Sequence, residues 1–486
     1  MAFADLRAFL DTLEREDELC RVTTEVDWDL ELGAISRRAM DLQGPALLFD
    51  NLTGYSPGSG RVLANVFGKT PGTPGGRFAL ALGLPKDIPL MDLIAEFGRR
   101  SQQRIPPRRV SAAPCKQNIL VGDAVDVTRF PVPFIHGPDG GRFVGTWHVN
   151  VTKDPDSGLV NWGMYRHMIH DGRTLGWFGG PVQHGMGAYL QKYEPRDVPM
   201  PMAVAIGTEP LSSAIAGCPV GTGVSEPDVV GGLRGEPIDV VPCETIDLDV
   251  PATAEIVLEG EVLPRERLPE GPFGEFTGYM TPDRAPRPVF RVKCITYRDD
   301  PILTISNIGK PWDEESVLGA VAWSAMLAED LRARGFEFQN LYVPPPLQAV
   351  IVAVRHLYPG YAHALQSAIW SSKLGYYRPY LFFVGEDVDV TNMEDVFWCL
   401  TTRLHPERGI HVHQNTPALS LWPWLSAEER QRRASPRVCF DATFPPELPP
   451  EQRPTIIDFT HGWPEHIQER VLARWDEYGI TRRPGR

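Results

Sequence analysis

Two glutamates, Glu270 and Glu275, lie five positions apart in the segment PEGPFGE at residues 269–275. The glycines and prolines of this segment disfavour a helix and predict a tight, fixed loop. Such a loop can direct both carboxylates into one pocket, where two acids share general acid–base work if their surroundings separate their pKa values. The alternative is a surface loop whose carboxylates are only solvated. An apolar strand at residues 254–258 precedes the loop and favours the catalytic interpretation.

Three further segments carry polar residues among apolar ones. They are Asn161 and Arg166 in NWGMYR, Gln183 and His184 in PVQHG, and Glu226 in VSEP. Asn, His and Glu form a mixed oxygen and nitrogen donor set, which suits Mn²⁺ or Mg²⁺ better than zinc when phosphate oxygens complete the shell. Each residue also has an ordinary alternative: a core or surface histidine, a turn asparagine, a charge at a helix N-terminus, or an arginine in a structural ion pair.

The first hundred residues predict a small α/β unit. Apolar residues at helical spacing predict a helix over residues 4–16, and a second helix is expected near residues 90–97. Short strands are predicted at 46–49 and 62–66. The proline-rich segment at residues 104–109 predicts a linker.

Residues 117 to 310 are rich in short apolar segments separated by glycine, proline and aspartate, with little helical periodicity. The predicted strands are residues 143–151, 159–167, 202–206, 254–258 and 289–297. This pattern indicates a β-barrel or a β-sandwich. The chemistry-bearing residues therefore fall on strands and on the loops between them.

After Pro311 the pattern alternates between helix and strand, which is typical of an α/β unit. Helices are predicted at 315–334, 361–372 and 392–403, and strands at 348–354 and 380–384. A last helix at 464–478 follows a proline-rich stretch. A terminal helix on an extended arm often packs on another subunit, although it can also fold back on its own chain.

The composition of the chain argues against several classes of function. The chain has 486 residues and a net charge of −14, which argues against nucleic acid as the main partner. No apolar run approaches the roughly 20 residues of a membrane helix, and the acidic amphipathic start is unlike a signal peptide. Seven scattered cysteines without a CxxC motif predict a reducing cytoplasm. HExxH, GxSxG and complete phosphate-loop or GxGxxG motifs are absent, which excludes several common enzyme classes.

Taken together, the quoted segments and VPATAEIVLEG at residues 250–260 resemble the UbiD family of reversible decarboxylases, which use prenylated FMN. The resemblance spans most of the chain. It implies an N-terminal α/β domain at residues 1–110 and a central split β-barrel of flavin-reductase type at 115–312, which binds the cofactor. A C-terminal α/β oligomerisation domain with a terminal helix is expected at 313–486.

The same resemblance implies a cofactor site. Asn161, His184 and Glu226 match the family residues that bind Mn²⁺ or Mg²⁺, and this ion holds the cofactor phosphate. A K⁺ ion is expected nearby, held largely by backbone carbonyls, some of them from residues 214–218. Lys373 matches a lysine near the cofactor.

The resemblance also implies the catalytic set. Arg166, Glu270 and Glu275 match the family's Arg–Glu–Glu residues, with Glu275 as the proton donor. Gln183 matches a residue that lines the substrate pocket, and with Arg166 it is expected beside the cofactor.

The implied reaction is reversible, non-oxidative loss of CO₂ from an sp² carbon of an α,β-unsaturated or (hetero)aromatic acid, through an adduct with prenylated FMN. The expected partners are the acid substrate, further copies in a homodimer or larger homo-oligomer, and a flavin prenyltransferase that supplies the cofactor. One rival is an FMN-dependent oxidoreductase on a split barrel, for which the Arg–Glu–Glu set has no use. The other is an inactive UbiD-like subunit, but such proteins typically lose ligand or acid positions, and all six are present here.

Overall fold

The structure is a computed structural model that describes residues 2–56, 60–180, 183–221, 223–281, 284–445 and 447–480. It is a mixed α/β fold, as the sequence predicts. The described residues form four β-sheets with helices packed between and around them.

The N-terminal region alternates short helices and strands. Its elements are α1 (Leu6–Arg15), β1 (Leu19–Val22), α2 (Glu31–Asp41), β2 (Ala46–Phe49), β3 (Arg61–Ala64), α3 (Gly76–Ala81), α4 (Leu90–Ser101) and β4 (Arg108–Arg109). The helix predicted over 4–16 is confirmed as α1. It begins after Asp5, whose side chain accepts a hydrogen bond from the Ala8 N–H at 2.9 Å. Its apolar face is fully buried, and each such leucine or phenylalanine stabilises the fold by about 1.5–3 kcal/mol.

The central region contains most of the strands. Its elements are β5 (Asn118–Val121), β6 (Phe143–Gly145), β7 (His148–Lys153), β8 (Val160–Gly163), β9 (His167–Asp171), β10 (Thr174–Trp177), α5 (His184–Ala188), β11 (Met200–Ile206), α6 (Pro210–Ala216), α7 (Glu226–Arg234), β12 (Asp239–Pro242), β13 (Asp249–Pro251), β14 (Ile256–Glu270), β15 (Ala285–Tyr297) and β16 (Ile302–Thr304). The helices α5, α6 and α7 were not predicted. They are short, and α5 and α7 contain glycines that weaken helical periodicity.

The C-terminal region is α/β, as predicted. Its elements are α8 (Glu314–Leu318), α9 (Ser324–Ala333), β17 (Asn340–Tyr342), β18 (Ala349–Ala353), α10 (Tyr361–Ser371), β19 (Tyr380–Val384), α11 (Met393–Arg403), β20 (Ile410–Pro417), α12 (Ala427–Arg432), β21 (Ala434–Asp441) and α13 (Glu465–Ala473). A π-helical turn joins α8 to α9, so the helix predicted at 315–334 is one interrupted helix. The predicted terminal helix is α13 followed by a short 3₁₀ turn.

The large central sheet is curled. Its strand order is β6-β9-β10-β15-β14-β11-β7-β8, and β5 pairs with β15. Only two residues separate β6, at one edge, from β7, which lies next to the opposite edge. A link of this length spans about 11 Å at most, so the two edges must lie close together. The connection from β8 to β9 crosses the same gap, which we call the seam.

Two strands predicted from the sequence are interrupted at the seam. Residues 143–151 and 159–167 were each predicted as one strand, and each is broken where the chain crosses the seam. The predicted linker at 104–109 also contributes β4, an edge strand that pairs with β12. Another connection joins the regions, because β16 pairs with β3 in the N-terminal sheet. The flavin-reductase type of the barrel and the domain division at 110, 115 and 312 stay predictions.

Candidate active site

Arg166 lies in the seam, in the connection between β8 and β9. Its guanidinium is held between the rings of Phe178 and Phe273, 4.4 and 5.0 Å from their centroids. Aromatic faces attract a cation and shield it from water. The fold therefore fixes this positive charge in a largely apolar setting.

Both acids of the predicted loop reach Arg166. Glu270 ends β14, and its two carboxylate oxygens accept hydrogen bonds from Arg166 Nε at 2.7 Å and Nη2 at 2.9 Å. Arg166 Nη1 donates to Glu275 Oε1. A bidentate pair fixes the plane of the guanidinium as well as its position. The structure thus brings together Arg166, Glu270 and Glu275, the three residues proposed from the sequence as a catalytic set.

The carboxyl group of Glu275 has a raised pKa. Burial raises the pKa of Glu275 to about 7, and the negative charge of Glu270 adds to this effect while Arg166 opposes it. At neutral pH the carboxyl group is therefore divided between its protonated and ionised forms. A group with a pKa near the working pH is suited to giving and taking protons.

Asn150 on β7 clamps the two residues that flank Arg166. Its Oδ1 accepts a hydrogen bond from the Tyr165 N–H at 3.3 Å, and its Nδ2 lies 2.7 Å from His167 Nε2. The same Oδ1 is 2.6 Å from His148 Nε2. Asn150, His148 and His167 are all fully buried. This cluster ties β7 to the chain on both sides of Arg166 across the seam.

Because two histidines of this cluster are buried, we expect the folded protein to lose stability in acid. Burial lowers the pKa of His148 to about 4 and that of His167 well below its usual value. Below pH 6.5 the unfolded chain binds protons that the folded histidines do not, so stability falls as the pH falls. We expect His167→Gln, whose amide oxygen can accept from Asn150 without titrating, to reduce the slope of the unfolding free energy between pH 6 and 5. The expected reduction is about 1.4 kcal/mol per pH unit, measured by urea unfolding.

The control for this experiment is His466→Gln, because His466 is exposed. It should leave the slope unchanged. An equal slope in wild type and His167→Gln would contradict the prediction.

Asn161, His184 and Glu226 also come together. Asn161 belongs to β8, and His184 and Glu226 are the first residues of α5 and α7. The Glu226 carboxylate accepts hydrogen bonds from Asn161 Nδ2 and the Trp162 N–H, both at 2.9 Å. His184 Nδ1 lies 3.8 Å from Glu226 Oε1. The two short helices missed by the sequence analysis therefore position two of the three predicted metal ligands.

Two other predicted residues lie beside this group. Lys373, from the C-terminal region, has its Nζ 3.0 Å from His184 Nε2 and donates to the Val220 carbonyl at 2.7 Å. Gln183 is the exposed residue before α5, and its Oε1 accepts a hydrogen bond from the Gly180 N–H. The first two residues of the predicted PVQHG motif lie outside the described residues.

Comparison with known proteins identifies the family. Models described as the N-terminal, Rift-related and C-terminal domains of 3-octaprenyl-4-hydroxybenzoate carboxy-lyase match residues 10–97, 108–311 and 316–442. The pyrrole-2-carboxylic acid decarboxylase of Pseudomonas aeruginosa is 36% identical over 98% of this chain and 98% of its own. The chain belongs to the UbiD family. It is accordingly a carboxy-lyase.

Solved UbiD-class structures share the fold. The closed form of vanillic acid decarboxylase from Sedimentibacter hydroxybenzoicus has a TM-score of 0.89 and 32% identity, covering 99% of this chain and 100% of that one. A UbiD-class enzyme from Pelotomaculum thermopropionicum in complex with FMN has a TM-score of 0.80 and 28% identity, covering 93% and 97%. An evolved dimeric form of that enzyme, in complex with prFMN, has a TM-score of 0.76 and 27% identity with the same coverage.

The metal ion predicted from the UbiD resemblance fits the donors of this site. Among the residues that the structure describes, no three His, Cys, Asp or Glu side chains gather into a metal site. An ion bound by His184 and Glu226 would therefore need the Asn161 amide oxygen as its third protein donor. Asn161 Nδ2 faces Glu226 in the structure, so the amide would have to turn for its oxygen to serve as a ligand. Two oxygens and one imidazole nitrogen suit Mn²⁺ or Mg²⁺.

Sequence reasoning missed some residues of this UbiD site. Asn150 carried a usable signal, because His148, Asn150 and Thr152 alternate with valines and so put three polar side chains on one face of β7. Asn161 is recognisable in a simpler way, as a polar residue among apolar ones. A second missed residue, Asp139, lies in a turn-forming segment whose composition gives no sign of what it contacts.

Proposed function

We propose that this chain catalyses non-oxidative decarboxylation of an aromatic or heteroaromatic carboxylic acid, with prenylated FMN as cofactor. The observation that carries the proposal is the buried Arg166 held by Glu270 and Glu275. This arrangement combines a fixed cation for a carboxylate with an acid whose pKa is raised to about 7. The named activities of the relatives support an aromatic or heteroaromatic ring. An α,β-unsaturated acid is the second substrate class to test.

Arg166, Glu270 and Glu275 each have a separate role in the proposed reaction. Arg166 orients the substrate carboxylate through charge-assisted hydrogen bonds, and Glu270 keeps the guanidinium in place. Loss of CO₂ breaks a C–C bond, and the proton on Glu275 then forms the new C–H bond. The resulting Glu275 carboxylate is stabilised by Arg166 until solvent returns a proton. In the reverse direction Glu275 removes the proton and CO₂ is added.

Prenylated FMN, when bound, supplies the electron sink for the charge left on carbon. Asn161, His184 and Glu226 would hold the Mn²⁺ or Mg²⁺ that binds its phosphate, and Lys373 and Gln183 lie next to them. Residues 214–216 end α6 and residues 217–218 follow it; the helix dipole favours a cation at this end, which supports the proposed K⁺ site.

Removing one ligand tests this cofactor site. We expect Glu226→Gln to lose Mn²⁺ and, with it, most of the bound flavin, because the neutral amide is a far weaker ligand for a divalent ion. Metal analysis and flavin absorbance of the purified protein are the measurements. Glu236→Gln, at an exposed position just after α7, is the matched control and should retain both. Full metal and flavin content in Glu226→Gln would contradict the assignment.

The proposed reaction is tested by co-expressing the chain with a flavin prenyltransferase. Mass spectrometry identifies the released small molecule, and a panel of pyrrole, furan, phenolic and acrylic acids is assayed for CO₂ release. Prenylated FMN together with CO₂ release supports the proposal. Turnover with plain FMN and a reductant would favour the oxidoreductase rival, and a folded protein without flavin would favour the inactive subunit.

We also propose that the protein is a homo-oligomer. We call residues 457–480, which include α13, the C-terminal tail. The side chains of α13 are not buried, and the tail exposes large apolar residues, among them Ile457, Phe459, Trp463 and Leu472. A second copy that covers this tail would remove the apolar surface from water. Light scattering after gel filtration distinguishes a monomer, a dimer and a hexamer.

The cytoplasm remains the proposed location, and all seven cysteines are free. Over the described residues, every helix is too short or too polar to cross a membrane.

A further inference from the structure

The turn that carries Glu275 is held by its own backbone. Glu275 N–H donates to the Tyr279 carbonyl at 3.1 Å, and Gly278 N–H donates to the Glu275 carbonyl at 2.9 Å. At the base of the turn, Phe273 N–H donates to Thr281 Oγ1 at 2.8 Å. These bonds set the shape of the turn, but they do not attach it to the rest of the protein.

Arg166 attaches the turn through the Glu275 side chain, and Asp139 attaches it through the backbone. The Asp139 side chain is almost fully buried, and its Oδ1 accepts a hydrogen bond from the Gly274 N–H at 3.1 Å. The neighbouring Gly140 N–H donates to the Pro272 carbonyl at 2.7 Å. A side chain on Gly140 would collide with the Gly271 carbonyl oxygen, so the two segments approach as closely as backbones can. Asp139 therefore contacts the residue immediately before Glu275.

Asp139 is fixed in turn by His136. Asp139 Oδ2 accepts from the His136 N–H at 3.1 Å and lies 3.1 Å from His136 Nδ1. His136 Nε2 lies 2.8 Å from Asn307 Oδ1. The amide nitrogen of Asn307 donates to the Gly33 carbonyl and to Ser36 Oγ, so its oxygen must be the atom facing His136.

Both ring nitrogens of His136 thus face acceptors, and only the doubly protonated ring satisfies both. Burial lowers the pKa of His136, but the hydrogen bond and charge of Asp139 outweigh this, and the pKa is raised. The result is a buried chain of contacts from α2, through Asn307, His136 and Asp139, to the turn that carries Glu275.

We propose that Asp139 is a positioning residue for Glu275, fixing its turn through Gly274 and placing a negative charge beside the carboxyl group. This inference rests on the proposed role of Glu275 as proton donor. A negative neighbour disfavours the ionised carboxylate, so Asp139 helps Glu275 to keep its proton until the substrate carbon takes it.

Other charges also face Glu275. Burial is the largest cause of its raised pKa; Arg166 lowers this pKa, and Glu270 and Asp139 raise it. Glu315 on α8 is a further acid within electrostatic range. His136, in contact with Asp139, contributes a positive charge when it is protonated. Changing Asp139 or His136 alters one charge directly while leaving Arg166, Glu270 and Glu315 in place.

Two variants therefore give opposite expectations. Asp139→Asn keeps an oxygen for the Gly274 N–H and removes a negative charge that raises the pKa of both Glu275 and His136. The loss of positive charge on His136 opposes the effect, but Asp139 is the stronger of the two charges acting on Glu275, so the pKa of Glu275 should fall. His136→Gln removes a positive charge and keeps Asp139, so this pKa should rise. In each case we expect the alkaline limb of the kcat–pH profile to move in the stated direction by roughly 0.5 pH unit, with KM little changed because neither residue touches substrate.

A readout without turnover comes from infrared titration of the Glu275 carboxyl band in cofactor-free protein, with Glu275→Gln assigning the band. Asp126→Asn is the matched control, since Asp126 also accepts a backbone N–H in a turn but is exposed and distant from Arg166.

Opposite shifts in the two variants support the proposal. A loss of kcat with no shift in either titration would overturn it, leaving Asp139 as a turn support alone. If wild-type protein decarboxylates no acid, the proposed function fails, while the infrared shifts still decide whether Asp139 controls Glu275.

Discussion

Glu275→Gln should bind flavin and metal like the wild type and lose turnover by about 10²–10⁴-fold, the range that positioned proton donors contribute. The amide has nearly the same shape and can still accept the hydrogen bond from Arg166 Nη1. It has no proton to release to the carbon that loses CO₂. The measurements are steady-state CO₂ release, together with flavin and metal content of the same preparation.

A second feature of wild-type protein follows from the same carboxyl group. Glu275 must carry its proton at the moment of transfer, and its pKa is raised to about 7. Turnover should therefore fall as the pH rises through about 7, because the protonated fraction falls. Glu266→Gln is the matched control, since Glu266, on β14, is another glutamate that pairs with an arginine, Arg291, but both of these side chains are partly exposed. Full activity in Glu275→Gln, or a profile flat to pH 9, would remove Glu275 from the role.

The sequence predicted those helices and strands whose own residues follow a regular pattern of apolar and polar positions. Helix α1 has apolar residues at every position that a buried helical face requires, and its Asp5 cap precedes it. Strand β19 has a run of apolar residues between polar and proline boundaries, and its predicted bounds are the observed ones. Helices α5 and α7 are different, because their glycines lower helix propensity and the surrounding contacts stabilise them instead. The spacing of apolar residues along the sequence does not reveal a helix that is stabilised by its surrounding contacts.

The candidate site was predictable to a similar extent. Residue types at unexpected places, such as Asn161 in an apolar strand and the two acids around a glycine–proline turn, identified the candidates. Their pairing was not predictable from spacing, because Arg166 and Glu270 are 104 positions apart and meet only when the sheet curls. Asp139 shows the limit most clearly: its hydrogen bond toward Glu275 is made to the backbone N–H of Gly274, so the identity of the side chains in the turn does not indicate the contact.

The buried pair of Arg166 and Glu270 should contribute separately to stability and to catalysis. Their side chains are 8% and 0% exposed, so removing Arg166 leaves the Glu270 carboxylate buried without its bidentate partner, whereas removing Glu270 would leave Arg166 still paired with Glu275. We expect Arg166→Met to lower the free energy of unfolding by about 3–5 kcal/mol, the usual cost of breaking a buried ion pair. Turnover should also be lost, because no fixed cation remains to orient the substrate carboxylate.

The double variant Arg166→Met/Glu270→Met separates the two effects. It removes both charges and fills the space with apolar atoms, so we expect it to recover roughly 2 kcal/mol or more of the lost stability while remaining inactive. Urea unfolding at fixed protein concentration and CO₂ release are the two measurements. Arg291→Met is the control, because its partly exposed pair with Glu266 should be worth under about 1 kcal/mol. A single variant as stable as wild type would show that the charges are compensated elsewhere. Activity in the double variant would show that the substrate carboxylate is oriented without Arg166.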